Sequence, residues 1–315
     1  MKNKTFFVSE DINLILNGKS CFGNFYKENG LKMPKISCIE NLRTRMYDSL
    51  KKATNTNLEV IKEQDMLTAM NYLAKTSRNI LLSLDEIYLK DNANVSSYIN
   101  LTRLNIDDKG NTMLATRTKN GLYIPFEAEV MRVSKLLKEQ YSTSKLDISI
   151  IDDVVYSGDA ICTIIKEFSK YNISVREVLS AICVKDSIEK VESCGAEVIS
   201  AYTISDVYDE ICERDFYFGI SQSGRNLLSD EGKIIKQPYF YPYGMPVESA
   251  SIPLECAREF SINCLENSKL LWKEIESQSN KVITSDDLPE QIYNTPTTFE
   301  VVKELSIAEE NLMEQ

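Results

Sequence analysis

Two adjacent carboxylates, Asp152 and Asp153, stand at the end of an apolar run, Ile148-Ser149-Ile150-Ile151. Val154 and Val155 follow, then a small turn, Tyr156-Ser157-Gly158-Asp159, after which apolar residues recur at helical spacing. Each part has a chemical use. Paired carboxylates accept hydrogen bonds from a sugar diol. A glycine turn running into a helix aims backbone N–H groups at an anion. A diol grip beside an anion cradle is a socket for a phosphorylated sugar. Two elements must hold it: a buried strand ahead of Asp152, which fixes the acids at a sheet rim, and a helix after Gly158. Strands ending in Asp-Asp also occur in phosphoacceptor receivers and in Mg-binding ATPases. The chain has no GxxxxGKS/T run, which argues against a P-loop NTPase. Its acidic pair lies mid-chain, whereas a receiver would carry one near the N-terminus.

At these residues the chain resembles the type I phosphoribosyltransferases. Their signature reads as four apolar residues, two acids, two apolar residues, a short Thr/Ser-Gly turn and a final Thr or Ser. The resemblance implies that Asp152 and Asp153 bind the ribose hydroxyls, and that Ser157, Gly158 and the backbone of 156–159 hold the 5′-phosphate. The sequence departs from the pattern at Ala160, where the family usually has a phosphate-binding hydroxyl, and at Asp159, which sets a carboxylate beside the phosphate. With Tyr156 in the turn, the candidate catalytic residues are Asp152, Asp153 and Tyr156. A second stretch, Asp215-Phe216 with Gly219 and then Arg225, resembles the C-terminal part of purine phosphoribosyltransferases. It implies base stacking by Phe216 and a pyrophosphate contact for Arg225. In that family a mobile loop precedes the sugar-binding strand. Residues 103–121 are the candidate for it or for the pyrophosphate loop, with Arg103, Arg117 and Lys119 as cationic arms.

The resemblance implies an enzyme that binds 5-phosphoribosyl 1-diphosphate with Mg2+ and transfers or exchanges a nitrogenous base at C1′. The metal would be held largely by the ligand's own oxygens, so no dedicated protein metal site is expected. The alternative is a catalytically weakened binding module, or a toxic effector, in a bacterial anti-phage complex. The Lys/Asn/Ile-rich composition and large terminal additions are similar to phosphoribosyltransferase-like proteins of such systems, including retron effectors.

Composition sets bounds on these readings. The chain has 315 residues, 43% of them hydrophobic, and a net charge of −11. The acidic balance argues against a broad nucleic-acid surface, which needs clustered Lys and Arg. No apolar run is long enough for a membrane span or a signal peptide, so a cytoplasmic protein is expected. Histidine is absent, which removes His-based triads and His metal sites. Acid–base work falls to Asp, Glu, Tyr, Lys or Cys. Eight cysteines occur, none of them in a CxxC pair. Reduced thiols are expected, with Cys162 and Cys183 acting as small buried hydrophobes.

The supporting elements read as follows. Residues 1–90 form a mainly helical cap, with Ile39, Leu42, Met46 and Leu50 on one face and Met66, Met70 and Leu73 on another. Residues 91–235 form an α/β core. Strands are predicted over 98–104, 112–116, 178–184 and 196–204, and helices over 126–137, 161–169 and 185–194. This alternation implies a parallel sheet with helices on both faces and ligands at the C-terminal strand ends. Residues 236–315 add a stiff Pro/aromatic segment at 237–246, a wall for a base or an edge for a protein, and two helices. The implied partners are the sugar diphosphate and a base, and a second copy or another protein.

Overall fold

In the computed structural model, which describes residues 4–17, 23–85, 87–89, 92–105, 112–117, 123–228 and 233–314, the chain divides into two units. One comprises Met1–Ile61, Asn105–Asn111 and Asp206–Gln315; the other comprises Lys62–Leu104 and Thr112–Ser205. The first opens with β1 (Thr5–Ser9), α1 (Ile12–Leu16), α2 (Gly23–Glu28), α3 (Ile36–Thr54) and β2 (Asn57–Ile61). The second follows with α4 (Glu63–Thr76), β3 (Ile80–Ser83), β4 (Val95–Tyr98), β5 (Leu101–Asn105), β6 (Thr112–Arg117), β7 (Tyr123–Pro125), α5 (Phe126–Tyr141), β8 (Leu146–Val155), α6 (Asp159–Ser169), β9 (Ile173–Val184), α7 (Lys185–Ser193) and β10 (Glu197–Ile204). The chain then returns to the first unit with β11 (Val207–Cys212), β12 (Arg225–Leu228), β13 (Ile234–Gln237), α8 (Pro246–Ser249), α9 (Leu254–Ser279), β14 (Gln291–Ile292) and α10 (Val301–Glu314).

The second unit is an α/β domain. Five of its strands form one sheet in the order β10-β9-β8-β3-β4, and every pairing within that sheet is parallel. Strand β8, which carries the acidic pair, is central. A parallel sheet must be covered on both faces, and the residues of β8 show how. Leu146, Ile148 and Ile150 pack into a cluster with Val130 and Val133 of α5, Ile164 and Phe168 of α6, and Val191 of α7. Ser149 and Ile151 alternate to the opposite face; they too are buried, and α4 packs on β8 and β9. Each fully buried aliphatic side chain contributes roughly 1.5–3 kcal/mol, so the strand end is anchored from both sides. The hydroxyl that interrupts the apolar run has a partner: Ser149 Oγ donates to Glu177 Oε2 at 2.5 Å, and Asn79 Nδ2 donates to both at 3.0 and 3.2 Å.

Several expectations are corrected. Residues 80–83 belong to a core strand, not to a helical face, and β1 and β2 lie inside the stretch expected to be a helical cap. The expected strand over 98–104 is two strands, broken at Ile99 and Asn100. The compact units change over near 61 and 206. Helices α3, α9 and α10 supply the expected terminal additions.

The first unit has its own parallel sheet, β11-β1-β2. Its strand ends carry a charged core. Arg43 donates through Nε and Nη2 to the two carboxylate oxygens of Glu213 at 2.9 and 3.0 Å, and its Nη1 lies 3.4 Å from Glu10. Trp272 of α9 is fully buried and donates to the Phe218 carbonyl at 2.7 Å. The Pro/aromatic segment is anchored in the core by Phe240 and Tyr243, both fully buried. Tyr241 and Pro242 wall a cavity of about 590 Å3 with Arg258, Glu304 and Leu312. Among the described residues no helix is long and apolar enough to cross a membrane.

Candidate functional site

Asp152 and Asp153 lie at the C-terminal end of β8, partly exposed, where the buried run gives way to the rim. Each carboxylate is steered by the next backbone amide. Asp153 N–H donates to Asp152 Oδ1 at 3.1 Å, and Val154 N–H donates to Asp153 Oδ1 at 2.8 Å. A third acid joins them. Leu84 N–H donates to the Ile151 carbonyl at 2.9 Å, which extends the β3–β8 pairing and carries Asp85 to the same rim. Asp85 Oδ1 accepts from Ile87 N–H at 2.5 Å. The Asp152 carboxyl is pushed well above the ordinary carboxylate range, first by desolvation, then by the charges of Asp153 and Asp85.

The turn after β8 depends on one glycine. Gly158 has φ +75°, a left-handed conformation that costs other residues about 1–2 kcal/mol. It also sits against α7: a Cβ there would meet Val191 Cγ2 at 3.0 Å and the Ser187 carbonyl at 3.3 Å. Ser187 in turn donates to the Val184 carbonyl at 2.8 Å and lies 3.3 Å from that of Val155. With the chain pinned this way, α6 starts at Asp159, and its first-turn N–H groups, which have no intrahelical acceptors, face the end of the turn. Asp159 is paired with Lys190 of α7 at 2.6 Å, and its N–H reaches Ser157 Oγ at 3.4 Å. Its carboxyl is held below the usual range, chiefly by the Lys190 hydrogen bond, then by Ser157. Ala160 lies in the first turn of α6 and brings no hydroxyl. Tyr156 is exposed beside the turn.

Among the expected cationic arms, Arg103 is exposed on β5, and its charge contributes to the lowering at Asp159. Arg117 ends β6 opposite Tyr123 of β7. Lys119 lies outside the described residues. Phe216 and Arg225 belong to the first unit, not to the α/β unit that carries the acidic pair. Phe216 is 1% exposed, edge-on to Phe260 at 5.3 Å and to Tyr239 at 6.4 Å. The stacking role expected of it is corrected: the ring has no open face, because the core encloses it. Arg225 donates to the Glu248 carbonyl at 2.5 Å.

Sequence reasoning missed Asp85 and Lys190. Asp85 carried a usable signal, an acid directly after the apolar Ile80–Leu84 run. Lys190 carried none, because its pairing with Asp159 is set by helix packing. Among the described residues no group of three or more Cys, Asp or Glu side chains is spaced to hold a metal ion by itself.

No protein-family model matches the sequence, and no curated protein matches it. Three solved structures are similar in part. TT1426 from Thermus thermophilus is 12% identical with a TM-score of 0.29, over 46% of this chain and 86% of that one. Adenine phosphoribosyltransferase from Thermoanaerobacter pseudethanolicus is 11% identical with a TM-score of 0.30, over 45% and 79%. Orotate phosphoribosyltransferase from Aeropyrum pernix is 12% identical with a TM-score of 0.25, over 52% and 73%. What the site can do follows from its own residues.

Proposed function

We propose that the protein is a phosphoribosyltransferase-like enzyme that binds 5-phosphoribosyl 1-diphosphate with Mg2+ and transfers or exchanges a nitrogenous base at C1′. The observation that carries this reading is the acidic pair at the C-terminal end of the central parallel strand, followed directly by the left-handed Gly158 and the first turn of α6. Ligands collect at this end of open parallel sheets. Asp152 and Asp153 accept the ribose 2′ and 3′ hydroxyls. Ser157 Oγ and the backbone N–H groups at the start of α6 receive the 5′-phosphate. Lys190 keeps the Asp159 carboxylate occupied, which lowers its repulsion of that phosphate.

The acids present fit a hard divalent cation, since Asp152, Asp153 and Asp85 crowd negative charge at one rim. Ligand oxygens would complete the coordination, because the side chains alone form no cage. When bound, Mg2+ would neutralise the departing diphosphate. The protein's share is to fix the ribose so that C1′ faces the base, an effect of position and charge.

The test is calorimetric titration of 5-phosphoribosyl 1-diphosphate with and without Mg2+, on the wild type and on Asp152→Asn/Asp153→Asn. We expect Mg-dependent binding that the double variant loses, and pyrophosphate release with an accepted base. Equal binding by the folded double variant would overturn the assignment.

A further inference from the structure

Cys162 and Cys194 meet between α6 and α7. Cys162 lies one turn into α6 and is 7% exposed; Cys194, partly exposed, directly follows α7. Their sulfurs are unbonded but only 2.7 Å apart, against roughly 2.05 Å in a disulfide bond. A third thiol on the adjoining strand, Cys183, is turned away, toward Ser187 Oγ at 3.3 Å. Cys194 also opens to the outside. It lines a surface cavity of about 500 Å3 with Lys145, Ser169, Arg176 and Gly195. The cavity lies by the start of β8 and β9, the end of the sheet opposite the acidic pair. Lys145 and the half-exposed Arg176, which is paired with Asp147 at 3.0 Å, bring two cations to its wall.

We propose that Cys194 and Cys162 form a thiol–disulfide exchange site, entered through this cavity by a small anionic disulfide such as glutathione disulfide. In the first step the Cys194 thiolate attacks one sulfur of the incoming disulfide, forming a mixed disulfide and expelling one thiolate. Cys162 then loses its proton to solvent and attacks Cys194 Sγ, expelling the second thiolate. Two protein thiols are oxidised by two electrons, and one small disulfide is reduced to two thiols. The order follows from access and from charge. Cys194 faces the cavity, and burial pushes the Cys162 thiol up to about 11, so Cys162 enters as the resolving thiol, helped by contact that makes the second step intramolecular. The product bond would tie α6 to α7 one turn beyond the Asp159–Lys190 pair. The exchange chemistry does not depend on the proposed phosphoribosyl reaction.

The test uses the full chain. Wild-type protein is incubated with excess glutathione disulfide, free thiols are alkylated, and peptides are mapped by mass spectrometry. We expect a single linked peptide pair joining Cys162 to Cys194. Cys162→Ser should stop at a glutathione adduct on Cys194, and Cys194→Ser should give neither link nor adduct at position 162. Lys145→Glu should slow the reaction several-fold with glutathione disulfide and leave the rate with uncharged hydroxyethyl disulfide unchanged. Absence of the link in wild-type protein that is folded by circular dichroism overturns the proposal. So does an adduct pattern led by Cys38, Cys212 or Cys256, and an equal effect of Lys145→Glu on both reagents overturns the anionic specificity.

Discussion

Replacing Gly158 with alanine separates two costs that the turn combines. The first is conformational: a left-handed φ penalises a residue with a Cβ by about 1–2 kcal/mol. The second is steric. The new Cβ would lie 3.0 Å from Val191 Cγ2, well inside the roughly 3.5–4.0 Å at which carbons rest. Val191 is fully buried in the α/β core and has little room to retreat, and overpacking of this kind costs about 1–3 kcal/mol. Alanine also stiffens the unfolded chain, which returns about 0.4–1 kcal/mol. The net loss is about 1–5 kcal/mol. Gly30 provides the control: it has the same φ of +75°, but a Cβ there would meet nothing within 4 Å. Gly30→Ala therefore carries only the conformational part. Urea unfolding of both variants, followed by circular dichroism, measures the difference. Gly158→Ala should be less stable than Gly30→Ala by about 1 kcal/mol or more. It should also bind 5-phosphoribosyl 1-diphosphate more weakly, because the cradle is pushed off α7. Equal losses for the two variants would refute the claim that the turn is packed to contact against α7.

Three further outcomes are expected. Folding raises the proton affinity of Asp152, so the folded state holds a proton the unfolded chain releases, and stability falls as pH rises above the unfolded carboxylate value of about 3.9. Asp152→Asn should therefore be more stable than wild type without ligand, by a margin that widens from pH 5 to pH 8 in urea titrations; a constant margin contradicts this. Asp159 and Lys190 are 68% and 45% exposed, so Asp159→Ala should leave the urea midpoint nearly unchanged. In calorimetry, however, Asp159→Ala should tighten sugar-phosphate binding and Lys190→Ala should weaken it. Arg43→Met would leave Glu213 and Glu10 buried without their cation, and urea unfolding should show a loss of about 3–5 kcal/mol.

Strand β8 and helix α6 were legible because local pattern and tertiary role coincide there. The run ending at Asp152 is apolar because β8 is central and covered on both faces, and the shift to helical spacing after Gly158 marks α6 directly. Strand β3 was not legible in the same way. Its four residues merge into Leu84, Ile87, Tyr88 and Leu89, and a short apolar string of this kind fits a helix as well as a buried strand. Phe216 shows the opposite failure: an aromatic near a glycine suited a base, but burial against Phe260 depends on α9, far along the chain. The charged core around Arg43 left no local trace, because Glu213 lies 170 positions away.

Strand β1 has a consequence for how the protein is made. It pairs with β2 at once, but its other neighbour, β11, begins at Val207, and Ser9 meets Glu210 across 201 positions of sequence. On a ribosome β1 emerges long before that partner exists, so one of its edges waits unpaired while the whole of 62–205 is being translated. The α/β unit can close around its own core during that interval. The unit that holds β1 is thus completed after the α/β unit, and a nascent chain halted before residue 207 would present β1 as an open template for strand addition.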